Sequence, residues 1–274
     1  MAGADPSTFS WDPLPARYRV ILCDIWGVVH DGVRLQPGVA SRLQGWRNEG
    51  RFVVLITNAP RPADAVGGEL RRMGLTARCW DAIVTSGEAG IQALNALRLP
   101  VGFLGTVDDR SVLERHGLRI TAGDDFADLA CVGLDESRPN VEHYGAQLAA
   151  WAERGVRLHC LNPDRIVMRG GVAEPCAGAL ADLYLELGGP VAWYGKPHPP
   201  IYRHALHLAG EPPMANILAV GDGLQTDMLG AARLGIDAVF VRGGVHEGVS
   251  FPVHFAADHD LGDWRPIASV DGLE

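Results

Sequence analysis

Short apolar runs alternate with stretches of helical spacing along much of the chain. RVILCDIW (residues 19–26), RFVVLITNAP (51–60) and DAIVTS (81–86) predict buried strands, while GVASRLQGWRNEG and PADAVGGELRRMG predict the helices between them. The same order returns near the end of the sequence as NILAVGD, TDMLGAARLG and DAVFVRG. Strands that alternate with helices are typical of βαβ units, so an α/β fold with a parallel sheet is expected.

The middle of the chain has a different pattern of apolar residues. VGFLG, ADLACVGL and VRLHCLN predict shorter strands, separated by helical stretches such as VEHYGAQLAAWAERG. We therefore expect an inserted α/β domain at residues 86–188, within a core formed by residues 18–85 and 189–274. Residues 1–17 are rich in proline and polar residues and predict an irregular N-terminal arm.

Composition narrows the choice of partners and compartment. The 274 residues carry a net charge of −9 without a basic cluster, which disfavours nucleic acid as a partner. We find neither a secretory signal nor an apolar run of about 18 residues, so no membrane partner is expected. The five cysteines form no CxxC pair and predict reduced thiols in a cytoplasmic protein.

Four predicted strands are followed by polar residues that could carry chemistry. Asp24 ends the first, Thr57 and Asn58 end the second, Lys196 follows VAWYG, and Asp222 ends NILAVGD. Open parallel sheets bind ligands beyond the carboxyl ends of their strands, so these residues could converge on one crevice.

A second carboxylate follows Asp222 in GDGLQTD. Asp227 could simply cap the next helix, or it could join Asp24 and Asp222 in one site. Three carboxylates together would need a hard cation, and oxygen ligands of this kind suit Mg²⁺. Lys196 would then add a positive charge for an anionic substrate.

Taken in order, these segments resemble the four motifs of the haloacid dehalogenase superfamily of hydrolases. LNPDR, GALADLYLELGG and YGKPHPPIY resemble its class IIA branch of nitrophenylphosphatase-like and nucleotide phosphatases. The resemblance covers about residues 18–248. It implies a Rossmann-like core, with the inserted domain as a cap between the second and third motifs. It also implies a Mg²⁺-dependent phosphatase that acts on a small phosphorylated metabolite.

The resemblance implies a role for each matching residue. Asp24 would be the nucleophile that forms an aspartyl-phosphate. Thr57 would hydrogen-bond the phosphoryl group with help from the backbone of Asn58, and Lys196 would neutralise its charge. The ligands of Mg²⁺ would be three carboxylates and one backbone oxygen: Asp24, Asp222, Asp227 and the carbonyl of Trp26.

Trp26 is a departure from the family pattern, in which a second Asp acts as the general acid–base. Its indole N–H cannot take that role, and a missing acid–base costs roughly 10²- to 10⁴-fold in rate. The alternatives are a substitute acid such as His30, an activated substrate such as an acyl phosphate, or a non-catalytic phospho-ligand binding protein. Carbon–halogen hydrolysis is a further alternative, since dehalogenase members of the superfamily carry an aromatic residue there.

Six residues are candidates for contacts with the substrate. They are charged or polar and lie near the motifs or in the predicted cap: His30, Arg61, Asn162, Asp164, Arg165 and His198. For NPD an Asx turn is the alternative, and Asp31 is expected to be a turn residue. Whether two copies form a homodimer stays open.

Overall fold

The computed structural model describes residues 9–169, 172–242 and 250–274. Its strands are β1 Val20–Asp24, β2 Phe52–Thr57, β3 Ala82–Thr85, β4 Gly102–Leu104, β5 Asp128–Cys131, β6 Arg157–Cys160, β7 Ile166–Arg169, β8 Val172–Pro175, β9 Val191–Trp193, β10 Ile217–Gly221, β11 Asp237–Val241 and β12 Ala268–Val270. Its α-helices are α1 Val39–Asn48, α2 Ala63–Arg72, α3 Ser86–Leu97, α4 Val107–Arg115, α5 Gly145–Glu153, α6 Ala177–Glu186, α7 Pro199–Leu208, α8 Leu229–Leu234 and α9 Phe255–Asp258. The α/β fold class is therefore confirmed.

The chain divides into two compact units, and the first contains the described residues of 1–57, 67–84 and 202–274. Its sheet has the strand order β12-β11-β10-β1-β2-β3. β1 pairs in parallel with both β2 and β10, so it lies inside the sheet. All five residues of β1 are buried, which explains why this strand is a continuous apolar run rather than an alternating one.

The second unit contains residues 58–66 and the described residues of 85–201. Its main sheet has the order β4-β5-β6-β9, and every neighbouring pair is parallel. β7 and β8 form a separate antiparallel pair. One apolar cluster of this unit is built around Leu129, Leu158 and Tyr184, all of which are fully buried.

The strand before Lys196 differs from the expectation. We expected VAWYG to belong to the core together with residues 189–274, but β9 pairs with β6 in the sheet of the second unit. Residues 58–66 also group with that unit. The boundaries of the inserted domain stay a prediction. Residues 9–17 contain no helix or strand, and the rest of the predicted arm, residues 1–8, lies outside the described residues.

All five cysteines are buried and none is in a disulfide. Cys131 and Cys160 lie side by side on β5 and β6. Burial raises the pKa of Cys131 to about 12 and that of Cys160 well above its usual value. Within the described part of the chain, no helix is both long and apolar enough to cross a membrane.

His159 on β6 joins a buried polar row in the second unit. Its Nδ1 lies 2.7 Å from the Tyr194 hydroxyl, and its Nε2 lies 2.8 Å from Asp128 Oδ1. A neutral imidazole satisfies both contacts when Tyr194 donates to Nδ1 and Nε2–H donates to Asp128. Burial lowers the pKa of His159 below its ordinary 6.5, although Asp128 opposes that shift.

This shift predicts a loss of stability in acid. Between the lowered folded pKa and the unfolded pKa of about 6.5, the unfolded chain binds more protons, so the free energy of unfolding rises with pH. The contribution is complete above that window and is lost as the pH falls through it. Melting temperatures from pH 7.5 to 5 should therefore change less in His159→Gln than in wild type. His143→Gln, at an exposed histidine, is the control; equal slopes in all three proteins would contradict the prediction.

Candidate active site

Three carboxylates meet at the strand ends of the first unit. Asp24 is the last residue of β1, Asp222 directly follows β10, and Asp227 lies in the π-helical turn Leu224–Met228. Each offers a carboxylate oxygen within 4.8 Å of the others, and their exposed fractions are only 4–5%. The convergence follows from the pairing of β1 with β10, because parallel neighbours end at the same edge of the sheet.

Close backbone approaches shape this cluster. Gly27 has φ +85°, and a Cβ there would lie 2.1 Å from Asp222 Oδ2. A side chain at this position would be strained and would displace the carboxylate. Asp227 lies inside its helical turn rather than at the cap before it, and its Oδ2 accepts hydrogen bonds from the Gly223 amide and the Thr226 hydroxyl.

The donor set fits a hard divalent cation. Three ionised carboxylates at this spacing repel one another strongly when they are buried. An ion with oxygen ligands removes that repulsion, and Mg²⁺ is usually bound through one or two carboxylates together with waters and substrate phosphates. Among the described residues, no other group of three acidic, histidine or cysteine side chains is close enough to share an ion.

The loop after β1 carries Trp26 and His30. The two rings meet edge to face at 5.7 Å, and the indole lies against Gly32, where a Cβ would come within 2.6 Å of the ring. His30 and Leu35 form an antiparallel bridge around a turn in which Asp31 Oδ1 accepts hydrogen bonds from the amides of residues 33 and 34. The prediction of Asp31 as a turn residue is therefore confirmed.

His30 is buried and its tautomer is set by its neighbours. The Gly32 amide donates to Nδ1 over 2.9 Å, which places the proton of the neutral ring on Nε2. Burial lowers the pKa of His30, while Glu69 and Asp31 oppose the shift. The ring is therefore a neutral Nε2–H donor, which is a weak acid compared with a carboxylic acid.

Lys196 lies in a tight turn of the second unit. The His198 amide donates to the Gly195 carbonyl over 2.8 Å, so Lys196 is the second residue of a four-residue turn. The side chain of Asn58 holds this turn: its Oδ1 accepts from the Lys196 amide over 2.7 Å, and its Nδ2 donates to the Lys196 carbonyl over 3.2 Å. Asn58 and Lys196 are only 4% and 3% exposed.

The NPD segment contacts the same asparagine. Asn58 Nδ2 also donates to Asp164 Oδ1 over 2.8 Å. Asn162 Oδ1 accepts from the Asp164 amide over 3.1 Å, so an Asx turn is indeed present at Asn162. Arg165 forms a two-point ion pair with Asp182 on α6, with both N–O distances 2.9 Å. Asp164 and Arg165 therefore contact residues distant in the chain, whereas the Asn162 side chain contacts its own loop.

The remaining two candidates are Arg61 and His198. Arg61 is half exposed and lies 3.5 Å from Asp109 in an ion pair. The ring of His198 stacks on Trp193 with the centroids 5.0 Å apart. Thr57 is buried at the end of β2, directly before Asn58 in the chain.

Sequence reasoning missed the side-chain contact of Asn58. It gave only the Asn58 backbone a role, beside a phosphoryl group, and assigned none to the side-chain amide, which binds the backbone of Lys196 and the carboxylate of Asp164. No local pattern could reveal a pair 106 residues apart. Gly195 is the local trace of this contact, since a Cβ there would lie 2.4 Å from Asn58 Oδ1, but a glycine in the sequence does not identify its neighbour.

Comparison with known proteins gives a consistent picture. The family model of haloacid dehalogenase-like hydrolases matches residues 21–119, and a HAD-hydrolase-like model matches residues 193–261. Ribonucleotide monophosphatase NagD of Escherichia coli K12 is 30% identical over 230 residues, which cover 82% of this chain and 88% of that protein.

Solved structures resemble the chain as well. A haloacid dehalogenase-like hydrolase from Brucella suis 1330 is 32% identical with a TM-score of 0.84, covering 96% of this chain and 98% of that one. The glycerol phosphate phosphatase of Mycobacterium tuberculosis, solved in complex with magnesium, is 24% identical with a TM-score of 0.68. It covers 94% of this chain and 75% of that one, and it shows the likeness of the fold.

Proposed function

The chain belongs to the haloacid dehalogenase-like hydrolase family, and on that premise we propose that it is a Mg²⁺-dependent phosphatase of a small phosphorylated metabolite. Membership confirms the resemblance on which the sequence prediction rested. The names of the relatives bear out a hydrolase of the phosphatase type. The metal, the covalent intermediate and the substrate class are parts of the proposal.

The buried carboxylate trio carries the proposal. Asp24, Asp222 and Asp227 lie within 4.8 Å of one another, in a charge arrangement that calls for a divalent cation. When bound, Mg²⁺ would neutralise these carboxylates together with the oxygens of a phosphoryl group. A metal-independent carbon–halogen hydrolase has no use for three such groups, which is why we rank that alternative lower.

Each residue then has a defined part in the reaction. The Asp24 carboxylate attacks phosphorus, the bond to the ester oxygen breaks, and its electron pair leaves with that oxygen as an alkoxide or aryloxide, which then takes a proton from water. Water next attacks the aspartyl-phosphate, which releases phosphate and restores the carboxylate. Thr57 would hydrogen-bond the phosphoryl oxygens, and the Lys196 ammonium would offset their negative charge.

Trp26 favours substrates whose leaving group needs little help. No carboxylic acid stands at that position, and His30 offers only a neutral Nε2–H. Acyl phosphates and aryl esters should therefore be better substrates than alkyl phosphates. The reaction is then still phosphoryl transfer, and the preferred substrates are phosphates with good leaving groups.

Phosphate release from a metabolite panel tests the proposal. The panel contains nucleoside monophosphates, sugar phosphates, acyl phosphates and 4-nitrophenyl phosphate, each with Mg²⁺ or with EDTA. We expect release that depends on Mg²⁺ and is fastest for the activated substrates. Binding of these compounds without release would support a phospho-ligand binding protein, and release that EDTA leaves unchanged would contradict the proposed metal site.

Metal binding can be tested apart from turnover. Asp222→Asn keeps the side-chain shape but removes one of the three charges. Removing a residue that only supports a metal ligand already lowers metal affinity about 10- to 100-fold. Losing the charge of a ligand should therefore weaken Mg²⁺ binding at least about tenfold. Isothermal titration of wild type, Asp222→Asn and the exposed-turn control Asp31→Asn measures this. Equal affinities in all three would exclude the site.

A further inference from the structure

We propose that Asp164 and Asn58 are positioning residues for Lys196, and that Asp164 acts through the Asn58 amide rather than by touching the substrate. This inference rests on the proposed function in one respect, since Lys196 is taken to bind the phosphoryl group. The contacts that carry it lie within the second unit and are the three hydrogen bonds of the Asn58 side chain.

Those three bonds select one orientation of the Asn58 amide. The Lys196 amide requires an acceptor, while the Lys196 carbonyl and the Asp164 carboxylate both require a donor. A flipped amide would place its N–H group against the Lys196 N–H, and its oxygen against the Lys196 carbonyl and the Asp164 carboxylate. Asp164 adds to this selection because an ionised carboxylate is an acceptor only, and its bonds are stronger than those of neutral groups.

Asp164 is itself held on several sides. Its amide donates to Asn162 Oδ1, and its carbonyl accepts from the Gly178 amide over 3.0 Å. A Cβ on Gly178 would lie 2.5 Å from that carbonyl, so the loop and the start of α6 are in close contact. The carboxylate therefore has a fixed place from which to orient Asn58.

Residues next to Lys196 and Asn58 in the chain are also held by hydrogen bonds. Tyr194, two residues before Lys196, is fixed through His159 to Asp128. On the Asn58 side, the next residue, Ala59, accepts a hydrogen bond from the Gly87 amide at the start of α3. The Lys196 backbone is thus fixed by buried partners, which limits where its long and flexible side chain can reach.

Positioning and substrate contact predict different kinetics. Misplacing a charged group by about 1 Å can cost around 10²-fold in rate. Loss of a positioning residue should lower kcat to a similar extent for every ester. Loss of a substrate contact should instead raise KM and do so unequally among substrates.

The test compares five variants with wild type on 4-nitrophenyl phosphate and glycerol phosphate. Asp164→Ala removes the acceptor and should lower kcat by about 10- to 100-fold on both esters. Asp164→Asn keeps an acceptor and should stay within a few fold of wild type. Asn58→Asp should be poor because two carboxylates then face each other, and the double variant Asn58→Asp/Asp164→Asn should recover part of the loss. The control Asp182→Ala breaks the neighbouring ion pair and should match wild type.

Binding of inorganic phosphate supplies a readout without turnover. Isothermal titration should show weaker binding for Asp164→Ala and Lys196→Ala than for Asp164→Asn, with all melting temperatures recorded. If wild type binds phosphate with this pattern but hydrolyses nothing, the positioning inference holds and the proposed function fails. Normal kcat in Asp164→Ala, or a change confined to KM, overturns the inference while the phosphatase stands. A wild type that neither hydrolyses esters nor binds phosphate overturns both.

Discussion

Replacing Asp24 by Asn is expected to reduce turnover by more than about 10⁴-fold while the fold is retained. An amide is a poor nucleophile, so no aspartyl-phosphate can form at this position. The substitution keeps the size of the side chain at the buried end of β1. It also removes one of three close negative charges, so the variant should melt at a higher temperature than wild type in EDTA.

Single-turnover release of 4-nitrophenol, followed together with thermal melts in EDTA and in Mg²⁺, measures both effects. Asp31→Asn is the matched control, because Asp31 lies seven positions away in an exposed turn and should behave as wild type in the turnover assay. Turnover in Asp24→Asn above about a tenth of the wild-type rate would exclude Asp24 as the nucleophile. A lower melting temperature in EDTA would show that the carboxylate trio does not repel as argued.

Replacing Trp26 by Asp is expected to accelerate alkyl phosphates by as much as about 10²-fold, the lower end of general acid catalysis. The new carboxyl would protonate the leaving oxygen, which the indole cannot do. Aryl and acyl phosphates should gain little, since their leaving groups need less assistance. Rates of Asp24 phosphorylation across a series of esters should therefore depend steeply on leaving-group pKa in wild type and weakly in Trp26→Asp.

The packing around Trp26 determines which control variants that experiment needs. The indole covers Gly32 and meets the His30 ring, so its removal leaves space beside both residues. Trp26→Asn creates the same space without an acid and should keep the steep dependence. His30→Ala tests the other explanation. If His30 is the proton donor, the rate for wild type already depends weakly on leaving-group pKa, and the rate for His30→Ala depends on it steeply. One common slope in all four proteins would mean that neither position governs protonation.

Much of the fold followed from the sequence because parallel strands buried on both faces are continuous apolar runs. β1, β2 and β10 could be placed in this way, and the polar residues at their ends marked the acidic site. The partner of β9 could not be foreseen. Three residues of moderate burial carry no information about which sheet they join, and pairing with β6 depends on tertiary packing.

The polar contacts of the site were less accessible to prediction than its residue types. Asp164 and Arg165 were expected to face a substrate because their segment resembles the substrate-facing loop of the class IIA branch. That resemblance did not indicate their partners within the protein, which are Asn58 for one and Asp182 for the other. Such partners are distant in sequence, and each depends on which loops the fold brings together. Glycine at position 195 was compatible with many turns until the side chain it admits was known.

The five buried cysteines allow local opening of the unmodified chain to be measured by thiol labelling. Cys23 and Cys79 belong to one unit, while Cys131, Cys160 and Cys176 belong to the other. A thiol reagent attacks the thiolate, and burial raises the pKa of the Cys131 thiol to about 12. Alkylation of the native protein should therefore wait for each unit to open. Mass spectrometry of pulse-labelled peptides would then give a separate opening free energy for each unit, without any engineered probe.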